Sequence, residues 1–176
     1  MNQEPIVHDP EVKQYTLSML VRNHAGVLSH VAGLFTRRGY NIESISAGIT
    51  EKPDVTRITI VVTGDQRILE QVVKQCRKLV DVIKVHALKH NESVARELAI
   101  IVVRASLETR SRIIEIADVF SAKIVDMAED AIMVEVTGNS RQINSIINLL
   151  SPFGIEEMGR TGVVALQYRS KIAPIY

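Results

Sequence analysis

The sequence is poor in the residues that make cross-links, stacking surfaces and membrane spans. Its single cysteine, Cys76, excludes an internal disulfide and suits a reducing compartment. Tryptophan is absent and aromatic residues make up only 4% of the chain, which leaves little surface for stacking nucleic-acid bases. No apolar run approaches the roughly 18 residues of a membrane span, and acidic residues and prolines stand where a signal sequence would begin. We therefore expect a cytoplasmic protein without a membrane partner.

Neither positive nor negative side chains predominate. The 21 basic and 20 acidic side chains leave a net charge of +1, which gives no reason to expect nucleic acid as a partner. Hydrophobic residues are abundant at 46%, with many isoleucines and valines, and β-branched residues favour packed sheets. A chain of 176 residues suits one large domain or two small ones.

The first half alternates strand and helix patterns in the order βαββαβ. Residues 15–22 alternate apolar and polar positions and predict a strand. An amphipathic pattern over residues 27–38 predicts a helix that ends at Gly39. Further strands are predicted at residues 40–50, 55–64 and 80–88, and a second helix, capped by Asp65, carries the apolar stripe Leu69, Val72, Val73 and Cys76.

The second half follows a similar plan. We predict a strand over residues 98–105, a hairpin over 123–138 that turns at Glu129 and Asp130, and a final strand over 162–169. The two predicted helices carry the apolar stripes Ile113, Ile116, Ala117, Phe120 and Ile143, Ile146, Ile147, Leu150.

A local repeat indicates that the two halves are duplicates. VTGDQRIL at residues 62–69 parallels VTGNSRQI at residues 136–143, and each lies at a strand-to-helix junction. We predict an α+β protein with a first domain at residues 14–90, a polar linker at 91–96 and a smaller second domain at 97–170.

A search for catalytic motifs finds none. Glycine-rich nucleotide loops, the hydrolase nucleophile elbow and paired metal-binding histidines are all missing. Cys76 lies on an apolar helix stripe, as a buried structural thiol would. Arg37 and Arg38 suit the last turn of a helix, where the helix dipole favours cations.

The loop NHAGVL, between the first strand and the first helix, is the one candidate for ligand binding. The first amides of a helix have no internal acceptors and can hold an anion. Gly26 allows close approach of a ligand to the backbone, and the amide of Asn23 offers a donor and an acceptor to a zwitterion. A second amide, Asn41, follows the helix. Asparagine and glycine are also ordinary turn residues, so the chemistry alone leaves both interpretations open.

These residues carry a family resemblance. The loop N-x-x-G-V-L followed by LFTRRGYNIESI resembles the amino-acid-binding ACT domains, and residues 34–45 in particular resemble the small regulatory subunits of acetolactate synthase. The likeness extends from about residue 14 to residue 169 and includes VTGD, KLVDVIKV and RTGVVAL. The run RRGYNIES is specific to those subunits, whereas the N-x-x-G loop marks the wider superfamily.

The resemblance implies ferredoxin-like βαββαβ ACT domains that pair side by side as homodimers or larger assemblies. It implies a branched-chain amino acid, usually valine, as a feedback inhibitor held between the first loop of one protomer and its neighbour. The implied effector-binding residues are Asn23, Gly26, Val27, Leu28, Asn41 and Ile42, and no role is implied for His24 or Ala25. The partner would be the catalytic subunit, which would carry thiamine diphosphate, Mg²⁺ and FAD, whereas this chain would bind no cofactor and would raise that subunit's activity.

Three alternatives remain. An RNA-binding βαββαβ module would need aromatic residues on its central strands, and RITIVVTG has none. An enzyme would need a pair of residues placed for acid–base chemistry, and the histidines supply none. An ACT domain that senses another amino acid for a different enzyme is the main alternative.

Overall fold

The computed structural model describes residues 13–171 of a chain that divides into two compact units, residues 1–89 and 90–176. The first unit has the order βαββαβ and consists of β1 (Lys13–Arg22), α1 (Val27–Arg38), β2 (Ile42–Ile49), β3 (Val55–Gly64), α2 (Gln66–Cys76) and β4 (Val82–Leu88). The second unit consists of β5 (Ser93–Arg104), α3 (Arg110–Val119), β6 (Lys123–Met127), β7 (Ala131–Gly138), α4 (Ser140–Leu150), β8 (Ile155–Arg160) and β9 (Val164–Gln167). Three short 3₁₀ turns occupy His90–Glu92, Ser151–Phe153 and Arg169–Lys171.

The sheet of the first unit has the strand order β2-β3-β1-β4, with antiparallel neighbours throughout. Alternation along β1 buries Leu17, Met19 and Val21 completely, as the sequence predicts. These side chains pack with the apolar stripes of both helices, including Val31, Phe35, Val72 and Cys76, in one core cluster. Both helices therefore cover the same face of the sheet.

The predicted helix boundaries of the first unit are confirmed. Helix α1 begins at Val27 and ends at Gly39, whose φ of 67° is the left-handed conformation that glycine adopts without strain. Helix α2 begins after Asp65, whose carboxylate accepts a hydrogen bond from the amide of Ile68 at 2.8 Å.

The second unit repeats this architecture with the strand order β6-β7-β5-β8 and a separate core. The predicted hairpin is present, because β6 pairs antiparallel with β7. Asn139 caps α4 and forms a reciprocal pair of bonds with Gln142, at 2.9 Å each. Gly138 therefore corresponds to Gly64, and the two similar segments do occupy equivalent junctions, as duplication predicts.

The prediction for the end of the second unit was incomplete. The strand beside β5 that completes the four-stranded order is β8, which the sequence analysis missed. The expected final strand exists as the shorter β9, which pairs with the first residues of β5 at Ser93–Arg96. Five of the six residues of β8 are exposed, so its sequence IEEMGR lacks the apolar alternation that marks a strand.

The expected linker at residues 91–96 also differs from the structure. Residues 93–96 are the beginning of β5 and pair with β9 through their backbone. Their sequence, Ser-Val-Ala-Arg, is too short to show a strand pattern by itself. None of the helices among residues 13–171 has both the length and the apolar character needed to cross a bilayer.

Candidate effector-binding site

The loop between β1 and α1, residues 23–26, places exposed backbone at the start of the helix. Gly26 has a φ of 88°, and its side of the loop is open, since a Cβ placed there would meet nothing within 4 Å. The amide of Val27 makes a long bond of 3.4 Å to the carbonyl of His24. Within residues 13–171 the amides of Leu28 and Ser29 have no acceptor, and no side chain caps the helix. These amides and the positive end of the helix dipole suit a carboxylate.

The other helix starts differ from α1 in how their loops are closed. The side chains of Asp65 and Asn139 accept from the amide of the third residue of α2 and α4, Ile68 and Gln142. Helix α3 also lacks a side-chain cap, but the loop before it has no glycine and is closed by Ser106 and Thr109. The amide of Ser106 donates to Thr109 Oγ1 at 2.9 Å, and the amide of Thr109 donates back to Ser106 Oγ at 3.3 Å. The open glycine loop is therefore a property of α1.

Asn23 anchors this loop to the turn between β2 and β3. Its backbone amide donates to the carbonyl of Asp54 at 2.8 Å, and its side-chain Nδ2 donates to the carbonyl of Pro53 at 2.8 Å. The side-chain carbonyl has no partner among the described residues, so it remains available as an acceptor. Asn23 thus has a structural task that the sequence did not predict, together with one free group that suits an ammonium.

Two predicted residues lie far from the loop within one unit. Asn41 and Ile42 follow the C-terminal end of α1, whereas Asn23, Gly26, Val27 and Leu28 lie at its start. Twelve residues of helix separate the two groups, about 18 Å at about 1.5 Å per residue. Nδ2 of Asn41 donates to Glu43 Oε1 at 2.6 Å, and that oxygen also accepts from Thr63 Oγ1 at 2.9 Å. A single amino acid cannot contact both groups of residues in one unit.

His24, for which the sequence predicts no role, forms a side-chain contact with Asp81 in the structure. Nε2 of His24 lies 2.7 Å from Oδ1 of Asp81, and Nδ1 of His30 lies 3.1 Å from Oδ2 of the same carboxylate. The hydrogen bond to Asp81 raises the pKa of His24, and its bond to the carbonyl of Ala25 acts in the same direction. The bonds from His24 and His30 lower the pKa of Asp81. No local pattern could reveal a contact between residues 57 positions apart.

An open pocket of about 520 Å³ lies beside this cluster. Its lining consists of His24, Ser29, His30, Arg37, Lys78, Leu79, Val80 and Asp81. None of the six predicted effector-binding residues is among them. The pocket thus borders the loop at His24 and Ser29 without including the predicted residues.

Cys76 and His86, which were also considered for chemistry, are buried and half-buried in the fold. Cys76 is fully buried, and burial raises the pKa of its thiol to about 11. Burial is also the main cause of the lowered pKa of His86. Among residues 13–171, no group of three or more histidine, cysteine, aspartate or glutamate side chains is arranged to hold a metal ion.

The two βαββαβ units, with an open N-x-x-G loop in the first, define an ACT-domain protein. Residues 17–84 match the family model described as the small-subunit-like ACT domain of AHAS, acetohydroxyacid synthase, and residues 96–169 match that of the small subunit of acetolactate synthase. The chain therefore belongs to the family of acetolactate synthase small subunits.

Individual relatives agree along most of the chain. A probable acetolactate synthase small subunit of Archaeoglobus fulgidus is 47% identical over 153 residues, which cover 87% of this chain and 96% of that protein. The acetolactate synthase small subunit of Mycolicibacterium smegmatis is 44% identical over 152 residues, 86% of this chain and 89% of that one. The crystal structure of the small subunit from Thermotoga maritima superposes with a TM-score of 0.84 at 40% identity, covering 89% of this chain and 98% of that one.

Proposed function

We propose that this chain binds a branched-chain amino acid, valine in the first place, and thereby inhibits an acetolactate synthase catalytic subunit that it otherwise activates. The observation that carries the proposal is the open loop at Gly26, where the helix amides of Leu28 and Ser29 lack acceptors in the described part of the chain. Those amides would bind the carboxylate of the amino acid, and the free carbonyl oxygen of Asn23 would accept from its ammonium.

The position of β2 supports a site shared by two protomers. β2 is an edge strand of the sheet, and its sequence IESISAGI has neither the lysine nor the proline that commonly protects such edges. Ile45 and Ile49 are 41% and 69% exposed there, on the same face as the helices. An antiparallel pairing of two β2 strands through a twofold axis would cover both side chains.

Such a pairing would also reunite the two groups of predicted site residues. In a pairing centred on the middle of β2, Ile42 of one protomer lies opposite Ile49 of the other. Ile49 pairs with Thr56, which in turn pairs with Val21 at the end of β1, next to the loop. Asn41 and Ile42 of the partner would thus approach the Gly26 loop, which one unit alone cannot achieve.

The energies required are modest. An effector sensed at about 0.1 mM needs about −5.5 kcal/mol of binding free energy. Burial of an isopropyl group contributes roughly 1.5–2 kcal/mol. Each charge-assisted hydrogen bond adds roughly 1.5–3 kcal/mol before ordering costs are subtracted. One loop and the side chains of a neighbouring protomer are sufficient.

Inhibition requires that valine favour one arrangement of the complex. A ligand that joins two protomers fixes their relative pose, and a coupling of about 1–3 kcal/mol between the valine site and the catalytic subunit is typical of allosteric proteins. Thiamine diphosphate, Mg²⁺ and FAD belong to the catalytic subunit in this proposal. The second unit, whose α3 loop lacks the glycine, contributes to assembly and to contact with that subunit.

The experiment that tests this proposal measures acetolactate formation from pyruvate by the catalytic subunit, with and without this chain, over a valine titration. We expect the wild-type chain to increase the rate and valine to decrease it again. Asn23→Ala should retain the increase and lose the inhibition, because the effector contact is lost while the surface for the catalytic subunit remains. Loss of both effects, with the variant still folded, would assign Asn23 to structure alone.

A different amino-acid effector is the second candidate, because backbone amides bind the common part of every amino acid. Leucine, isoleucine and a non-branched amino acid should therefore be titrated in parallel. Inhibition by the non-branched amino acid alone would replace valine in the proposal.

A further inference from the structure

The ring of His24 has an acceptor at each nitrogen. Nε2 lies 2.7 Å from the carboxylate of Asp81, and Nδ1 lies 2.9 Å from the backbone carbonyl of Ala25. A carboxylate and a carbonyl both accept hydrogen bonds and donate none, whereas a neutral imidazole carries a proton on only one of its nitrogens. Only the doubly protonated imidazolium makes both contacts as hydrogen bonds.

The ring connects two segments on either side of the loop at residues 23–26, which we call the effector loop. The carbonyl of Ala25 directly precedes Gly26, the residue with the left-handed backbone. Asp81 lies just before β4, and its own carbonyl accepts from the amide of Arg22, the last residue of β1, at 2.9 Å. His24 thus ties the residue before Gly26 to the end of the strand that carries the loop.

We propose that His24 is a positioning residue of the effector loop, that it holds the loop in its binding conformation as an imidazolium, and that effector affinity therefore falls as the pH rises. The identity of the effector rests on the proposed function, whereas the proton dependence of the loop does not.

Charged groups on several elements surround this ring. Asp81 is the anion that the ring contacts, with its side chain only 16% exposed, and it also contacts His30 of α1. Arg22 of β1 opposes protonation of His24, and Arg37 of α1 and Lys78, just after α2, line the adjoining pocket. The direct hydrogen bonds to Asp81 and Ala25 outweigh desolvation and Arg22, so the pKa of His24 is raised above its ordinary value of 6.5.

The sign of the effect follows from linkage. A group whose pKa is raised by the native contact contributes fully below its ordinary pKa and loses the contribution as the pH rises through the raised value. The loop is therefore held best below pH 6.5, the ordinary histidine pKa, and is released as the pH rises through the raised pKa of His24. The lowered pKa of Asp81 keeps the carboxylate ionised to a lower pH than usual, so the contact persists at mildly acidic pH.

The test begins without any effector, with nitrogen NMR of the histidine rings of the full chain between about pH 6 and about 8.5. We expect the midpoint of His24 to lie above the ordinary histidine value of 6.5, and the backbone amides of Gly26 and Leu28 to shift with that midpoint. His86, whose pKa is lowered, should have its midpoint below 6.5. In Asp81→Asn the midpoint of His24 should fall towards the ordinary value. A wild-type midpoint of His24 at or below 6.5, or one that Asp81→Asn leaves unchanged, would overturn the proposal.

Valine calorimetry over the same pH range supplies the second arm, since free valine remains a zwitterion there. Affinity should fall roughly two- to fivefold towards the alkaline end, the range that an exposed ion pair supports. His24→Gln should bind weakly with little pH dependence, and the matched control His90→Gln should keep the wild-type profile. A wild-type affinity that does not change with pH would refute the coupling. Absence of binding at every pH would refute the proposed effector, and the ring titration would then decide the proton dependence of the loop by itself.

Discussion

Gly26 has a left-handed backbone conformation and an open surface where a Cβ would stand, and the effects of these two properties can be separated by experiment. Its φ is 88°, and Gly154 in the second unit has a similar φ of 96° without any counterpart of the effector loop. Alanine in the left-handed region costs about 1–2 kcal/mol at Gly26, and Gly154, with a ψ of 100°, lies outside that region in a conformation that alanine tolerates no better. A Cβ at Gly154 would make only an ordinary contact, 3.8 Å from Arg104, so backbone strain is the main cost of both substitutions.

We therefore predict that Gly26→Ala and Gly154→Ala both lower the free energy of unfolding, while only Gly26→Ala weakens valine binding. The methyl group at Gly26 would occupy the surface over which the ligand approaches the amides of Leu28 and Ser29. Denaturant unfolding and calorimetry of the two variants provide the check. Equal loss of valine affinity in both variants would show that strain, and not ligand approach, is responsible.

The buried thiol of Cys76 leads us to predict that the protein becomes less stable in alkaline solution. The unfolded thiol loses its proton near 9.0, whereas the buried thiol retains it until about 11. Between these values the unfolded chain binds fewer protons, so the free energy of unfolding falls as the pH rises, by about 2–3 kcal/mol over two pKa units. Cys76→Val has no thiol to titrate and should lack this part of the decline. Parallel wild-type and variant curves between pH 9 and 11 would contradict the assignment.

Residues whose roles are set by their neighbours in sequence were predictable. The buried face of β1, the cap at Gly39 and the capping carboxylate of Asp65 all follow from patterns a few residues long. The contacts that shape the loop were not predictable, because they join distant parts of the chain. Asn23 bonds to a carbonyl 30 residues away, and His24 bonds to Asp81 across 57 residues.

At the scale of elements, the two edge strands of the first sheet, β2 and β4, differ in how well they are protected against pairing with a second chain. The β4 edge carries Lys84 within VIKVHAL, whereas β2 presents Ile45 and Ile49 with no lysine or proline in the strand. Exposed, unprotected edges tend to pair with a second chain. The exposed β2 edge thus supports the proposed pairing of two protomers through this strand.

We predict that Ile45→Lys converts the assembly to a smaller species and weakens valine binding, because a charge at the β2 edge opposes pairing and removes the partner's half of the site. Ile83→Lys is the matched control, since Ile83 is exposed on the opposite edge strand at 56%. Light scattering coupled to size-exclusion chromatography measures the assembly size. A dissociation caused by Ile83→Lys but not by Ile45→Lys would place the interface on β4.

Elements with a strong apolar period were predictable, and the sheet edge of the second unit was not. Helices α1 and α2 and the β6–β7 hairpin carry periodic apolar residues that the core selects. Strand β8 contributes backbone pairing to β5 and almost no buried side chains, so it leaves no pattern in the sequence. Residues 93–96, Ser-Val-Ala-Arg, likewise pair with β9 through their backbone.

At the scale of the whole molecule, the two units share a fold but differ at the loop before the first helix. In the first unit this loop is open at Gly26. In the second it is closed by Ser106 and Thr109, and Arg110 crosses to the carbonyls of Ala128 and Glu129 at 3.0 and 2.8 Å. Within residues 13–171 the two units therefore share a scaffold, and only the first has an open loop before its first helix, which is the proposed effector site.

Calorimetric titration of the full chain with valine tests the central claim most directly, because it reports affinity and stoichiometry together. We predict one valine per chain with sub-millimolar affinity, since the proposed function gives each chain one binding loop that a neighbouring protomer would complete. Asn23→Ala should remove the heat of binding. A flat titration of the folded wild-type chain would contradict the claim that the first loop is an amino-acid site, and two equivalents per chain would contradict the division between the units.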